Sequence, residues 1–214
     1  MTAFTRLTSK AVPLLLDDVD TDIITPIGRV LQGREAMVKY AFEPLRFDET
    51  GAPRADCPLN DPVFQGAEIL LAGANFGCGS SRETAAWAVK ALGFRAVVAT
   101  GFGAIFESNC FRNGILPVSL PSDAVRALAE TARDGGDLSL DLDARSVDDG
   151  RTRLTFPISD FRREGLLRGV DELDLILGRL GDIAAFEAAD RALRPWVSPV
   201  RPSAAVAPNL SDGR

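Results

Sequence analysis

Three apolar runs in the middle of the chain alternate with segments whose apolar positions recur every three or four residues. The runs are A-E-I-L-L-A-G from Ala67, R-A-V-V-A-T from Arg95 and I-L-P-V-S-L from Ile115. Each run has the length of a buried strand, whereas the segments 80–92, 102–113 and 121–133 have the period of an amphipathic helix. This alternation of strand and helix predicts a largely parallel sheet flanked by helices.

Other patterns surround this core. A short strand is predicted at 11–16, and L-S-L-D-L from Leu138 alternates between apolar and polar residues. The segment R-T-R-L-T-F from Arg151 returns after turn residues near Asp148, so the pair predicts an antiparallel β-hairpin. By contrast, 43–60 is rich in Pro, Asp and Gly without a stable period, and is predicted to be a long irregular excursion.

The last part of the chain changes in character. Residues 182–193 have the pattern of a final amphipathic helix, and 196–214 is rich in Pro, Ser and Ala. Because such a composition buries little apolar surface, 196–214 is predicted to be a disordered tail. A chain of 214 residues suits one domain with at most a small appendage, so we expect a single folded domain over 1–195.

The composition is that of a soluble globular protein, with 46% hydrophobic and 25% charged residues. The formal net charge of −6 argues against general nucleic-acid binding. No apolar stretch is long enough to span a membrane, and the first residues lack the apolar core of a signal peptide. Cys57, Cys78 and Cys110 are odd in number and widely spaced, as is typical of reduced thiols. We therefore expect a cytoplasmic protein without a nucleic-acid or membrane partner.

The chain contains no histidine. This excludes Ser-His-Asp and Cys-His nucleophile systems and every His-ligated metal site on this chain. No two cysteines have C-x-x-C spacing, which argues against an iron–sulfur cluster held here. Asp18, Asp20 and Asp22 resemble the start of a calcium loop. However, Ile23 stands at the glycine position and Arg29 at the closing glutamate position, so no metal site is predicted.

The segment N-F-G-C-G-S-S-R-E-T-A from Asn75 joins the first predicted core strand to its helix. No lysine follows its glycines, which excludes a P-loop, and Arg82 replaces the third glycine of a dinucleotide loop. Two interpretations remain open. Ser80 and Glu83 have the spacing of a capping box that starts a helix. Alternatively, the helix start and the Arg82 guanidinium form an anion site, which would explain a cation near the positive helix end.

Five segments that occur in this order resemble the small subunit of 3-isopropylmalate dehydratase, a relative of the swivel domain of aconitase. They are V-D-T-D-I-I-T-P from Val19, N-F-G-C-G-S-S-R-E from Asn75, G-F-R-A-V-V-A from Gly93, F-E-S-N-C-F-R-N-G-I-L-P-V from Phe106 and F-R-R-E-G-L-L-R-G from Phe161. The resemblance covers residues 4–195. It implies a swivelling β/β/α domain within the α/β class. It also implies a hydro-lyase that interconverts 2-isopropylmalate and 3-isopropylmalate by dehydration and rehydration in leucine biosynthesis.

The resemblance further implies roles for individual residues. Ser80 would be the base that exchanges the C–H proton of a small dicarboxylate substrate. The implied substrate-binding residues are Ser81, Arg82, Asp20, Thr21, Asp22 and Arg29. No cofactor is expected on this chain. A [4Fe–4S] cluster is instead expected on a separate large subunit, with which this chain would form a heterodimer or heterotetramer.

The sequence departs from the family pattern at three places. Thr84 stands where the family usually has histidine, and Gly101 where a serine is common. Arg29 and Val30 replace an aromatic–leucine pair in the loop that contacts the variable substituent of the substrate. An isopropyl group needs apolar contacts, whereas a carboxylate needs arginine. Two alternatives therefore stay open, namely a related dehydratase for another 2-hydroxy diacid such as a methylated malate, or a non-catalytic carboxylate-binding paralogue.

Overall fold

The computed structural model describes residues 1–33 and 36–197. The strands are β1 (Arg6–Ser9), β2 (Ala11–Leu14), β3 (Ile69–Ala72), β4 (Ala96–Ala99), β5 (Leu116–Ser119), β6 (Leu138–Asp141), β7 (Ser146–Asp148) and β8 (Arg153–Thr155). The helices are α1 (Thr21–Ile24), α2 (Met37–Tyr40), α3 (Glu43–Arg46), α4 (Glu83–Ala91), α5 (Ala104–Arg112), α6 (Ser122–Arg133), α7 (Asp160–Arg168), α8 (Glu172–Leu177) and α9 (Leu180–Leu193). Short 3₁₀ turns span Ile27–Gln32, Pro58–Asn60 and Pro62–Phe64. One compact unit covers Met1–Glu172, and a second begins at Leu173.

The central sheet has the order β2-β3-β4-β5, and all of its strands are parallel. Every residue of β2, β3 and β4 is buried, as expected for strands covered on both faces. Pro13 and Pro117 lie in the edge strands β2 and β5, where a missing backbone N–H is tolerated. The predicted parallel sheet with flanking helices is confirmed.

Alternate residues of the strands belong to two separate hydrophobic clusters, one on each face of the sheet. Leu70 and Val97 belong to the cluster that includes Ala85 of α4 and Phe106 of α5. The neighbouring Ile69, Leu71, Ala96 and Val98 belong to the cluster with residues from α6, β6 and β7. Because side chains along a strand point alternately to opposite faces, this pattern places α4 and α5 on one side and α6 with the second sheet on the other.

The second sheet is antiparallel with the order β1-β6-β7-β8, which extends and corrects the predicted hairpin. The chain leaves β6 earlier than expected, because the Asp141 side chain accepts a hydrogen bond from the Ala144 N–H at 2.8 Å and forms a turn. The short strand β7 then occupies the position predicted for the hairpin partner, and β8 follows it. The strand β1, which was not predicted, pairs with β6 on its other edge.

Side-chain contacts order the irregular segment that was predicted over 43–60. The Arg46 guanidinium donates to the carbonyl oxygens of Val38 and Ala41 at 2.8 and 3.1 Å, and Asn60 Nδ2 donates to the Arg46 carbonyl at 2.6 Å. Phe42 is fully buried and its ring centroid lies 6.4 Å from that of Phe76 in the core. These contacts hold a segment that has no periodic pattern of its own.

The second unit contains α9, which confirms the predicted last helix and begins two residues earlier than 182. The predicted tail lies outside the described residues from 198 onward, so the extent of the folded domain to 195 stays a prediction. In the described part of the chain, no helix combines the length and apolar character needed to cross a membrane.

Candidate functional site

The loops that follow β2, β3 and β4 meet at one edge of the central sheet, because parallel strands end on the same side. The loop after β3 is hydrogen-bonded to both of its neighbours. Gly77 N donates to the Val19 carbonyl at 2.7 Å, and Phe76 N donates to the Gly101 carbonyl at 2.9 Å. Gly103 N in turn donates to the Phe76 carbonyl at 2.9 Å. The predicted serine–arginine loop is thereby joined to the V-D-T-D segment at Val19 and to the loop after β4 at Gly101 and Gly103.

Glycine is needed where these loops approach most closely. Gly77 has φ +73°, and a Cβ there would lie 2.2 Å from Cγ of Phe106. A Cβ on Gly103 would lie 2.5 Å from the Gly77 carbonyl oxygen. Gly101 differs, since the nearest atom to an added Cβ is Asn75 N at 3.9 Å. The backbone approach therefore depends on Gly77 and Gly103, while position 101 has room for a side chain.

The predicted capping box of Ser80 and Glu83 is wrong. Helix α4 begins at Glu83, its N-cap residue is Arg82, and the Arg82 side chain makes no capping hydrogen bond. The Glu83 carboxylate instead accepts from Asn113 Nδ2 at 3.2 Å. Ser80 lies in the preceding loop, where it is exposed. Its hydroxyl is thus not used to begin the helix.

Thr21 holds the backbone of Ser80 from the buried side. Thr21 Oγ1 donates to the Ser80 carbonyl oxygen at 3.1 Å and lies 3.5 Å from Ser80 Oγ. Thr21 N also donates to the Cys78 carbonyl at 2.9 Å. Thr21 is only 1% exposed. Asp20 caps α1 by accepting from Ile23 N at 2.8 Å, which fixes the start of the helix that carries Thr21.

Arg82 and Asp22 form a two-point ion pair beside Ser80. Arg82 Nη2 donates to Asp22 Oδ2 at 3.1 Å, and Nη1 donates to Oδ1. The Arg82 side chain is 17% exposed and that of Asp22 54%. A guanidinium has more N–H donors than these two contacts use. Within 1–33 and 36–197 the Arg82 Nε–H meets no acceptor. One edge of the cation therefore remains available to an anion.

Arg29 is not joined to this group. Its Nε and Nη2 donate to the Glu43 carboxylate oxygens at 2.9 and 2.7 Å. These hydrogen bonds hold the pKa of Glu43 below its usual range. Both residues line an open cleft of about 780 Å³ together with Lys39 and Phe47. Glu43 was not singled out in the sequence, because no spacing pattern connects it to position 29.

The three cysteines lie on separate elements and do not form a cluster site. Cys57 and Cys110 are buried, and Cys78 is half-buried in the loop after β3. Burial raises the pKa of the Cys78 thiol, and the Asp18 and Asp20 carboxylates raise it further. Burial also raises the pKa of Cys110 well above its usual value. Since iron–sulfur clusters need grouped thiolates, these residues do not fit one. The part of the chain with described coordinates holds no group of three metal-ligating side chains.

Comparison with known proteins gives consistent results. The family model of the aconitase C-terminal domain matches residues 4–123. The 3-isopropylmalate dehydratase small subunit of Rhodospirillum centenum is 45% identical over 202 residues, which cover 92% of this chain and 98% of that protein. The small subunit of Cereibacter sphaeroides is 41% identical over 203 residues, with 92% and 100% covered. A crystal structure of 3-isopropylmalate dehydratase from Methanocaldococcus jannaschii superposes with a TM-score of 0.59 at 25% identity, covering 85% of this chain and 99% of that one.

Proposed function

This chain belongs to the family of 3-isopropylmalate dehydratase small subunits, and from that premise we propose that it acts in leucine biosynthesis with a separate large subunit. The reaction interconverts 2-isopropylmalate and 3-isopropylmalate by loss and re-addition of water. The observation that carries the proposal is the meeting of exposed Ser80 with the Arg82–Asp22 pair at the carboxyl edge of the sheet. The free thiols support a cytoplasmic location.

We propose Ser80 as the group that moves the substrate proton. Its Oγ takes the proton from one carbon when water is lost and returns a proton to the neighbouring carbon when water is added. A serine alkoxide is unstable in water, so its negative charge needs stabilisation. The Arg82 cation and the start of α4 supply positive potential nearby. Burial of the loop against a partner subunit would strengthen both effects by excluding water.

Arg82 and Ser81 are proposed to bind the substrate directly. Ser81 is exposed, and the Nε edge of Arg82 is free to take one carboxylate of a dicarboxylate substrate. Asp22 binds the Nη1 and Nη2 end of the guanidinium and so fixes its orientation. We assign Thr21 and Asp20 to positioning, because Thr21 is buried against Ser80 and Asp20 caps its helix.

The large subunit is proposed to hold the [4Fe–4S] cluster. The cysteines described above do not fit such a cluster, so this chain would complete a site whose metal lies on its partner. When bound, the cluster would supply a Lewis acid for the leaving hydroxyl. The role of this chain is then to orient the substrate carboxylate, to exclude water and to carry the proton at Ser80 Oγ.

Reconstitution with the large subunit tests this proposal. We expect conversion of 2-isopropylmalate only when both subunits are present, and none by this chain alone. A parallel assay with 2-methylmalate tests the alternative that the pair is a related dehydratase for another 2-hydroxy diacid. Arg29 in the predicted substrate loop suggested that alternative. If the assembled pair converts neither compound, the enzymatic proposal fails and a non-catalytic carboxylate-binding paralogue becomes the better explanation.

A further inference from the structure

Glu43 accepts hydrogen bonds from both nitrogens along the Nε–Nη2 edge of the Arg29 guanidinium. Both carboxylate oxygens accept from Arg29, at 2.9 Å from Nε and 2.7 Å from Nη2. This fork-to-fork arrangement is the strong and directional form of an arginine–carboxylate pair. The side chains of Arg29 and Glu43 are 45% and 33% exposed, so the pair lies at the surface of the cleft rather than in the core.

The backbone fixes both partners relative to the candidate site. Arg29 N donates to the Pro26 carbonyl at 2.9 Å within the Ile27–Gln32 turn. Glu43 is the first residue of α3 and directly follows the buried Phe42, whose N–H donates to the Ile24 carbonyl at 2.9 Å. Ile24 ends α1, the helix that carries Thr21 and Asp22. Phe42, the residue before Glu43, is therefore attached by one hydrogen bond to the helix that supports the serine loop.

The cleft contains other charged side chains besides those of Arg29 and Glu43. Lys39, Asp48 and Glu49 also line the cleft. Charges at an exposed surface are strongly screened unless they are in direct contact. The direct contact with Glu43 therefore lowers the affinity of the Arg29 guanidinium for another anion more than the other charges of the cleft do.

We propose that Glu43 is a specificity-determining residue, because its carboxylate weakens the binding of an additional substrate carboxylate by Arg29. This inference rests on the proposed function and on the family resemblance, which implies that the loop around Arg29 contacts the variable substituent. With Arg29 held by Glu43, the segment offers its aliphatic stem and a neutralised head group, which suits an isopropyl group. With Glu43 neutralised, the guanidinium would be free to recruit a carboxylate in that position.

Two unreactive inhibitors that differ only in this substituent test the proposal. 2-Isopropylsuccinate carries the isopropyl group, and tricarballylate carries a carboxymethyl group in its place. Inhibition constants for both are measured against 2-isopropylmalate turnover in the reconstituted two-subunit enzyme. For Glu43→Gln we expect tricarballylate to bind about tenfold more tightly, the effect of one charge-assisted contact. The inhibition constant of 2-isopropylsuccinate should change by less than about twofold, because its substituent is uncharged.

Two further variants separate the mechanism from a change in net charge. Glu49→Gln removes the same charge from the same cleft without touching Arg29, and should leave the ratio of the two inhibition constants near that of the wild type. Arg29→Gln combined with Glu43→Gln should cancel the gain for tricarballylate. An unchanged ratio in Glu43→Gln, or an equal shift in Glu49→Gln, overturns the role of Glu43 while leaving the proposed function intact. Absence of 2-isopropylmalate turnover in the wild-type pair overturns the proposed function itself and this inference with it.

Discussion

The hydroxyl of Thr21 donates a hydrogen bond to the carbonyl oxygen of Ser80, 59 residues further along the chain, at 3.1 Å. A buried threonine thereby fixes an exposed serine whose own side chain has no role in starting the next helix. The contact connects the loop after β2 with the loop after β3. It explains how a flexible-looking run of glycines and serines presents one side chain in a defined position.

Removal of this hydroxyl should impair turnover. Thr21→Val keeps the branched shape but leaves the Ser80 carbonyl without its donor, at a cost of ~1 kcal/mol. We expect kcat of the reconstituted enzyme to fall about tenfold, equivalent to ~1.4 kcal/mol in the barrier. Thr25→Val is the matched control, because buried Thr25 donates in the same way to the Thr84 carbonyl at 3.2 Å. Equal losses of kcat in both variants, at equal losses of stability, would mean that Thr21 has no specific positioning role.

The Arg82–Asp22 pair predicts an effect on substrate binding. Arg82→Lys replaces a planar fork by a single ammonium group, so KM should rise strongly. Asp22→Asn leaves the cation in place but loosens its orientation, so we expect a smaller rise in KM. Asp56→Asn serves as the control, since it disrupts the exposed Arg54–Asp56 pair. An unchanged KM in Arg82→Lys would contradict the assignment of Arg82 to carboxylate binding.

Two glycines in adjacent loops should respond differently to the same substitution. Gly77→Ala places a methyl group against the Phe106 ring and forces a residue with a side chain to φ +73°, so unfolding should be easier by ~1–3 kcal/mol. The nearest atom to the methyl group of Gly101→Ala is Asn75 N at 3.9 Å, so this variant should change stability by less than ~0.5 kcal/mol. Urea unfolding of both variants measures the difference. Equal stability of the two variants would contradict the close approach at Gly77.

The raised pKa of the Cys78 thiol predicts that the stability of the fold and the reactivity of this thiol depend on pH. Burial and the nearby carboxylates raise its pKa in the folded chain, so the neutral thiol persists to higher pH than in the unfolded chain. Because the folded state favours the protonated form, this contribution to stability is present at neutral pH and is lost as pH rises through the folded pKa. Alkylation by iodoacetamide, followed by mass spectrometry from neutral to alkaline pH, measures the shift. Cys78 should react at higher pH than in urea-unfolded protein, and identical profiles would refute the shift.

Much of the central fold could be predicted because its signals are local. The runs at β3, β4 and β5 are apolar enough to identify buried strands, and the parallel order brings the D-T-D and serine–arginine segments to one edge. The family resemblance selected the same two segments for the site. The structure joins these two segments through the ion pair of Asp22 and Arg82, while the roles of their residues stay predictions.

The remaining features depend on contacts between distant residues. Strand β1 is short and half-exposed, and it becomes a strand by pairing with β6 more than a hundred positions away. Helix α4 begins at Glu83 rather than at Ser80, and the Ser80 carbonyl and the Glu83 carboxylate accept hydrogen bonds from the distant residues Thr21 and Asn113. Glu43 lies in a segment with no period, so its pairing with Arg29 follows from the folded backbone alone.

Turnover of Ser80→Ala in complex with the large subunit tests the proposed catalytic role of this serine most directly. Ser122→Ala, an exposed serine in α6, is the control. Conversion of 2-isopropylmalate is followed together with subunit association measured by analytical ultracentrifugation. We expect Ser80→Ala to assemble normally and to lose turnover, while Ser122→Ala retains both. Wild-type turnover by an assembled Ser80→Ala enzyme would contradict the catalytic role of Ser80.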